Sequence, residues 1–390
     1  MPRITRPREG EPVRLVTTVS GTRYRVVLDV APPGAKRRQV TRTFRTLGEA
    51  RDFVAQTRAG ISTGSYVPPS AETLTQLCAR WVESRRDVRE VTRSGYRGQL
   101  APALRCLGDR RVQALTIADV EGLIGWLAVE GGARGQGLGP RSIRAALVAL
   151  AQALDMAARE GTITTNVVRL ARKPRVRTVV GTDLEHWQPA DLIRFVSEAD
   201  ADPLAAAWRL TACGLTRADV LGLRWTDLDL ENGIATVSQG RVAVDRTTVT
   251  DDPKSASRRR SVPVEVIWPG TVALLRSLSA RQARDRLAAG SAWTDTGLVV
   301  VDALGTPLRP EVYSDRFRRL CRSHGLPEIT LHSVRHSLAF WLHSLGVTPA
   351  DAAALLGHTV EVHLATYLPH SGTSGILSAA TALGRAAAAE

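Results

Sequence analysis

Cysteine is scarce in this chain, and its placement excludes several things. Among 390 residues there are four, Cys78, Cys106, Cys213 and Cys321, far apart in the sequence. No CxxC pair and no zinc-type Cys/His spacing exists, so neither a disulfide framework nor a structural zinc is expected, and a reducing cytoplasm fits. Long apolar runs are missing as well. Nowhere do about 18 apolar residues follow one another, so no membrane-spanning helix is expected. The opening MPRITRPREG is charged with no apolar stretch behind it, so it does not read as a secretory signal. The glycine-rich ARGQGLG lacks the GxxxxGK[ST] spacing of a phosphate loop and has no strand before it, so it reads as a connector.

Charge is what the chain has in excess. Lys+Arg 52 against Asp+Glu 38 leaves +14, and the pI is near 10.7. Arginine far outweighs lysine, and planar guanidinium forks suit phosphate oxygens. Residues 1–66 carry 13 basic and 5 acidic side chains, 13 − 5 = +8, more than half of the excess in about a sixth of the chain. A polyanion partner follows, nucleic acid being the commonest. The plain alternative is an arginine-rich composition with no such partner.

Three regions differ in pattern. Residues 1–66 read as a small β-rich unit: RYRVVLDV and RRQVTRTFRT alternate around the turn APPGAK, and LGEARDFVAQTRAG gives a short helix ending at Gly60. An arginine-bearing sheet face can lie in a DNA groove; Arg23, Arg25, Lys36, Arg37, Arg38, Arg42 and Arg45 are the candidates. STGSYVPPS reads as a linker. Residues 71–170 read as all-helical. Thr73 and Gln76 suggest a capping box, with Leu74, Leu77, Cys78, Trp81 and Val82 at helical spacing behind it. Further helices are expected over Val91–Leu107 with a bend at Pro102, after Thr116, and from Pro140 to about Glu160. The basic stretch RLARKPRVRTVVG reads as a linker that can track a DNA backbone through Arg172, Lys173 and Arg175. Residues 183–390 read as a mixed domain. Helices start near Pro189, Pro203, Thr216 and Val272, strands lie in GIATVSQGRVAV, RRRSVPV and LVVV, and helices continue to the end. The tail LSAATALGRAAAAE is helix-prone, with Leu377 and Leu383 as anchors for a neighbouring surface.

The chemistry-bearing pattern is an ordered set. His332 and Arg335, three apart, share one face of a helix. His358 follows Gly357, and Tyr367 comes nine residues later. Each piece alone is common on solvated helices, but the ordered combination is rare. His336 and His363 read as packing, capping or surface residues, and His324 and His343 as incidental.

In this set the chain resembles the tyrosine recombinase (phage integrase) family. That family's catalytic domain carries, in order, an arginine in a Gly-Leu-Arg box, a hairpin lysine, HxxR, a Gly-His pair and a tyrosine. Here stand GLTRADVLGLRW, DPKSASRRRSVPV with Lys254, HSVR, GH and Tyr367. The resemblance spans Pro189 to about His370 and extends more loosely over the two preceding regions. It implies three domains: a β-rich arm-binding domain over 1–66, an all-α core-binding domain over 71–170, and a mostly α catalytic domain with a small antiparallel sheet over 183–390. It also implies a site-specific integrase working as a homo-tetramer on double-stranded DNA at core and arm sites. An excision factor or DNA-bending protein is a candidate accessory partner. The setting would be the bacterial cytoplasm and nucleoid, without membrane, metal or cofactor. By the resemblance, Tyr367 attacks a scissile phosphate and forms a 3′-phosphotyrosyl link. Arg335 and His358 bind the non-bridging oxygens, His332 serves proton transfer and phosphate binding, and Lys254 protonates the 5′ leaving oxygen. Two other readings share the fold: a catalytically impaired sequence-specific DNA-binding protein, and a type IB topoisomerase-like nicking enzyme.

The arginine box departs from the family. Counting three back from Asp219 gives Thr216 where the family has arginine, and Arg217 stands one place on. Arg217 takes over the role, or the site works without that cation, or catalysis is lost. Asp219 is expected to orient a cation or to offset the helix N-terminal dipole. Leu223 and Trp225 are expected in the core.

Overall fold

The computed structural model of the chain describes residues 6–18, 21–31, 37–63, 66–175, 185–244, 247–251, 259–367 and 380–381. Two compact units emerge, Met1–Val176 and Arg177–Glu390. No described helix is long and apolar enough to cross a membrane.

The first unit opens with an antiparallel sheet, β1 (Val13–Thr18), β2 (Gly21–Asp29) and β3 (Gln39–Phe44), in that spatial order. The expected hairpin is the β2–β3 pair, registered with Val26 opposite Arg42; residues 32–36 of its turn, Lys36 included, lie outside the described residues. Strand β1 adds to that hairpin, and its VRLVTT alternates as well. Tyr24, Val26 and Leu28 project to one face because side chains alternate along a strand. Helix α1 (Leu47–Ser62) covers that face with Leu47, Ala50 and Val54. A Thr46/Glu49 capping box starts α1, which runs two residues past the expected stop.

Five helices follow: α2 (Leu74–Ser84), α3 (Glu90–Leu107), α4 (Ile117–Val129), α5 (Pro140–Arg159) and α6 (Val167–Leu170). Thr73 and Gln76 form the capping box, Gln76 N donating to Thr73 Oγ1 at 3.3 Å and Thr73 N to Gln76 Oε1 at 3.0 Å. Their helix buries Leu74, Leu77, Cys78, Trp81 and Val82, against a core distinct from that of the sheet. Each fully buried leucine there contributes about 1.5–3 kcal/mol. Pro102 sits inside α3. Arg169, expected in a linker, lies in α6, its Nε donating to Asp155 Oδ1 at 2.8 Å.

The second unit begins with α7 (Pro189–Glu198), α8 (Ala205–Ala212) and α9 (Arg217–Gly222). Strands β4 (Leu228–Asp229), β5 (Ile234–Val237), β6 (Gly240–Val244), β7 (Thr247–Asp251) and β8 (Arg260–Pro263) come next. They form a β4-β5-β8 sheet and a β6–β7 hairpin, all antiparallel. Helices α10 (Val264–Ile267), α11 (Thr271–Ala289), α12 (Pro310–Ser323), α13 (Leu331–Ser344), α14 (Pro349–Leu356) and α15 (Val360–Tyr367) complete the unit. Trp187, Phe195, Trp208, Tyr313 and Phe317 form its aromatic centre, with Trp208 stacked on Tyr313 at 4.4 Å. LVVV is not a strand. It makes isolated bridges, Arg224 with Leu298 and Val301 with Pro307, and its apolar character reflects burial of Val299 and Val300 in the core. Of the tail, residues 380–381 alone are described; Leu377 and Leu383 lie outside.

Candidate active site

The GLTRAD stretch makes a turn into a helix. Gly214 adopts φ +85°, where a side chain is strained, and a Cβ there would stand 2.8 Å from Leu356 Cδ2. The turn leads to Thr216 as N-cap of α9. Asp219 N donates to Thr216 Oγ1 at 3.3 Å, and Thr216 N donates to Asp219 Oδ2 at 3.0 Å. Thr216 and Asp219 are therefore a capping box, which satisfies N–H groups that a helix start leaves unpaired. Thr-Arg-Ala-Asp carries this signal in the sequence beside that of a displaced arginine. Asp219 also faces a cation: Arg260 Nη2 of β8 lies 3.5 Å from Asp219 Oδ2, both side chains buried. Arg260 Nε donates to Leu355 O at 2.8 Å, so this arginine joins α9 to the end of α14.

Arg217 is exposed at the first position of α9, where its Nη1 donates to Ser314 Oγ of α12 at 2.8 Å. Thr216, Arg217, Ser314, Thr330 and His332 line one groove of about 380 Å³. The displaced arginine and the HxxR histidine thus border a common space.

Helix α13 starts at the N-cap Thr330, whose Oγ1 accepts from Ser333 N at 3.1 Å. Arg335 points inward and is 5% exposed. Its Nη1 donates to Gly214 O at 2.8 Å and its Nη2 to His358 Nδ1 at 2.9 Å. A guanidinium has no acceptor, so His358 Nδ1 is the unprotonated nitrogen and Nε2 carries the proton. That Nε2 is 3.0 Å from His363 Nδ1, which is accordingly an acceptor. One chain of donors runs from Arg335 through His358 to His363. Gly357, at φ +68°, ends α14 and turns His358 into place, with Gly357 N on Ala354 O and His358 N on Ala353 O, both at 3.2 Å.

Tyr367, the last residue of α15, is buried at 4% exposure. Its ring centroid lies 4.9 Å from that of His363, 5.4 Å from His336 and 5.8 Å from His358. Tyr367 Oη is 2.7 Å from His336 Nδ1. His332, one helical turn before His336 and exposed, sets its ring at 4.5 Å, edge to face. Burial pushes the Tyr367 phenol up, and Arg335 opposes this. His336 is pushed down to about 4 by burial first, then by His332, Arg335 and His186. Burial, with His343 and Arg335, also lowers His363. Both imidazoles are neutral near pH 7.

Arg335, His358 and Tyr367 lie together, and His332 meets this group through His336. Lys254 lies outside the described residues, which resume at Arg259. His336 and His363, read as packing or surface residues, both meet the cluster: His363 is 1% exposed and bonded to His358. The i, i+4 spacing of His332 and His336 on one helix was the available signal. In the first unit, Arg23 and Arg25 project from the open face of the sheet, joined by Arg14 opposite Arg25. Arg42 pairs with Val26 on the other face and stacks over Phe53 at 5.7 Å. Arg37, Arg38 and Arg45 flank β3 and are exposed, as are Arg172 and Arg175, while Lys173 is half-buried.

Residues 183–372 match the phage integrase family. Over those residues, just under half of its length, the chain is similar to that family of tyrosine recombinases. An integrase of Streptomyces ambofaciens is 25% identical over 341 residues, 84% of each chain. A tyrosine recombinase XerC-like protein of Caldanaerobacter subterraneus is 24% identical over 196 residues, 46% of this chain, and the match spans 49% of that relative, about half its length. Among solved structures, the Tn1549 transposon integrase in complex with transposon right end DNA superposes with a TM-score of 0.64 at 20% identity, covering 80% of this chain and all of that one. A lambda integrase tetramer bound to a Holliday junction gives 0.54 at 17% identity, covering 94% and 99%. These likenesses show the integrase fold, multidomain, with a small amino-terminal sheet and a mostly helical remainder.

Proposed function

We propose that this recombinase integrates and excises a mobile element, cutting and rejoining DNA through a 3′-phosphotyrosyl intermediate. The observation that carries the reading is the convergence of Tyr367 on Arg335 and His358. A phosphodiester repels nucleophiles, so its displacement needs cations on the equatorial oxygens, an in-line nucleophile and a proton for the leaving oxygen. Arg335, fixed by Gly214 O, supplies the preorganised cation. His358 Nε2–H, resting on His363, supplies a neutral donor that a phosphate oxygen would take over. Tyr367 stores the bond energy as an ester, which makes the step reversible. Lys254 protonates the 5′ oxygen. Arg217 takes the place that Thr216 cannot fill, because Thr216 caps α9 while Arg217 borders the His332 groove.

The sheet face of Arg14, Arg23 and Arg25 grips a second, arm-type DNA site. Arg172, Lys173 and Arg175 track the backbone near the core site. Three domains, over 1–66, 71–170 and 183–390, divide this work, and four copies act together on two duplexes, as the lambda integrase tetramer does on its junction. An excision factor or bending protein sets direction, and the work is done in the cytoplasm, at the nucleoid.

The test is a nicked suicide duplex carrying the element's end junction. The chain is expected to accumulate a covalent DNA adduct, mapped to Tyr367 and absent in Tyr367→Phe. Tight binding of that DNA without adduct would instead support a DNA-binding protein of impaired catalysis.

A further inference from the structure

We infer that His336 is the group that takes the phenolic proton from Tyr367 as its oxygen attacks. This deepens the phosphotyrosyl reading above and rests on it. Among the described residues, Tyr367 Oη has one hydrogen-bond partner, His336 Nδ1 at 2.7 Å. His332, the histidine that the family pattern singles out, meets His336 rather than the tyrosine, its exposed ring 4.5 Å away. The two histidines are four residues apart on α13, so they stand on one face, one toward the groove and one toward the nucleophile.

The step balances. The Oη–H bond breaks and its proton passes to Nδ1 of His336. The Oη–P bond forms, the P–O5′ bond breaks, and the 5′ oxygen takes a proton from Lys254. On rejoining, His336 returns its proton to Oη. Among the described residues, the groups facing His336 are His332 and Arg335 on its own helix, His186 from the segment before α7, and Tyr367 from α15. Burial first, then His332, Arg335 and His186, keep the imidazole neutral, with a lone pair to offer. A bound phosphate offsets the positive charge of Arg335 and restores basicity as the nucleophile needs it. Because phenol and imidazole are far apart in basicity beforehand, transfer accompanies formation of the O–P bond.

His336→Asn decides between this role and mere packing, since the Asn amide occupies the place of Nδ1 and can hydrogen-bond but cannot accept a proton. On the suicide duplex, His336→Asn and His336→Gln are expected to bind DNA like the parent chain and to cleave roughly 10²–10⁴-fold more slowly. A substrate with sulfur at the bridging 5′ position, which leaves without a proton, is expected to rescue Lys254→Ala and not the His336 variants. A folded variant cleaving at the parental rate, or rescued by sulfur, overturns the inference. Should neither variant fold, 3-fluorotyrosine at position 367 of the otherwise unchanged chain decides. With His336 as base, the low-pH limb of the cleavage rate stays in place. A limb that moves with the acidity of the phenol means that no base assists, and overturns it. No adduct from the parent chain would overturn the phosphotyrosyl reading itself, and this one with it.

Discussion

At the scale of single residues, Thr216 stands where the family pattern has arginine, and Arg217 stands one place on. Thr216 caps α9, and Arg217 reaches Ser314 and the groove of His332. Arg217→Ala is expected to lower suicide-substrate cleavage roughly 10²–10³-fold, the cost of losing one preorganised donor, with DNA binding retained. Full activity of that variant would refute the takeover. The neutral histidines have a consequence for stability. His336 titrates near 4 in the folded chain against a usual 6.5. Above 6.5 neither state binds the proton; as pH falls from 6.5 toward 4 the unfolded chain binds it and the folded chain does not, so stability is lost across that window. Melting temperature followed over that range should fall, and fall less in His336→Asn. An equal fall in both would contradict the assignment.

At the scale of elements, much was legible because the signals are local. Thr73 with Gln76, Pro140 at the head of α5 and the alternation of RYRVVLDV each report on backbone within a few residues, and each matches the structure. LVVV misled because an apolar run records burial, not pairing. The candidate site was legible as residue types in order, since HxxR and Gly-His lie on short segments. The contact of His336 with Tyr367 was not, because it joins side chains 31 residues apart and depends on how α15 packs on α13. Gly357 makes the element argument testable. A Cβ at this left-handed position would stand 2.6 Å from Arg260 Nη1. Gly357→Ala is expected to destabilise the unit by about 1 kcal/mol or more through backbone strain and to slow cleavage by displacing His358. A melting temperature and cleavage rate equal to the parent's would refute this.

At the scale of the molecule, the excess of +14 matters through where it falls. Arg14, Arg23 and Arg25 share the open face of the first sheet, while Arg42 serves the other. Replacing those three by alanine should reduce the dependence of log affinity on log salt for arm-type DNA by about 0.9 for each phosphate no longer neutralised, with core-site cleavage kept. An unchanged salt slope would refute the proposed grip of this face on DNA. The central claim, that the chain breaks DNA with Tyr367, is tested most directly by digesting the adduct trapped on an end-junction suicide duplex and sequencing the DNA-linked peptide. The account predicts a 3′-phosphate ester on Tyr367, with a free 5′-hydroxyl on the released strand. Linkage to any other residue, or firm binding with the strand intact, would contradict it.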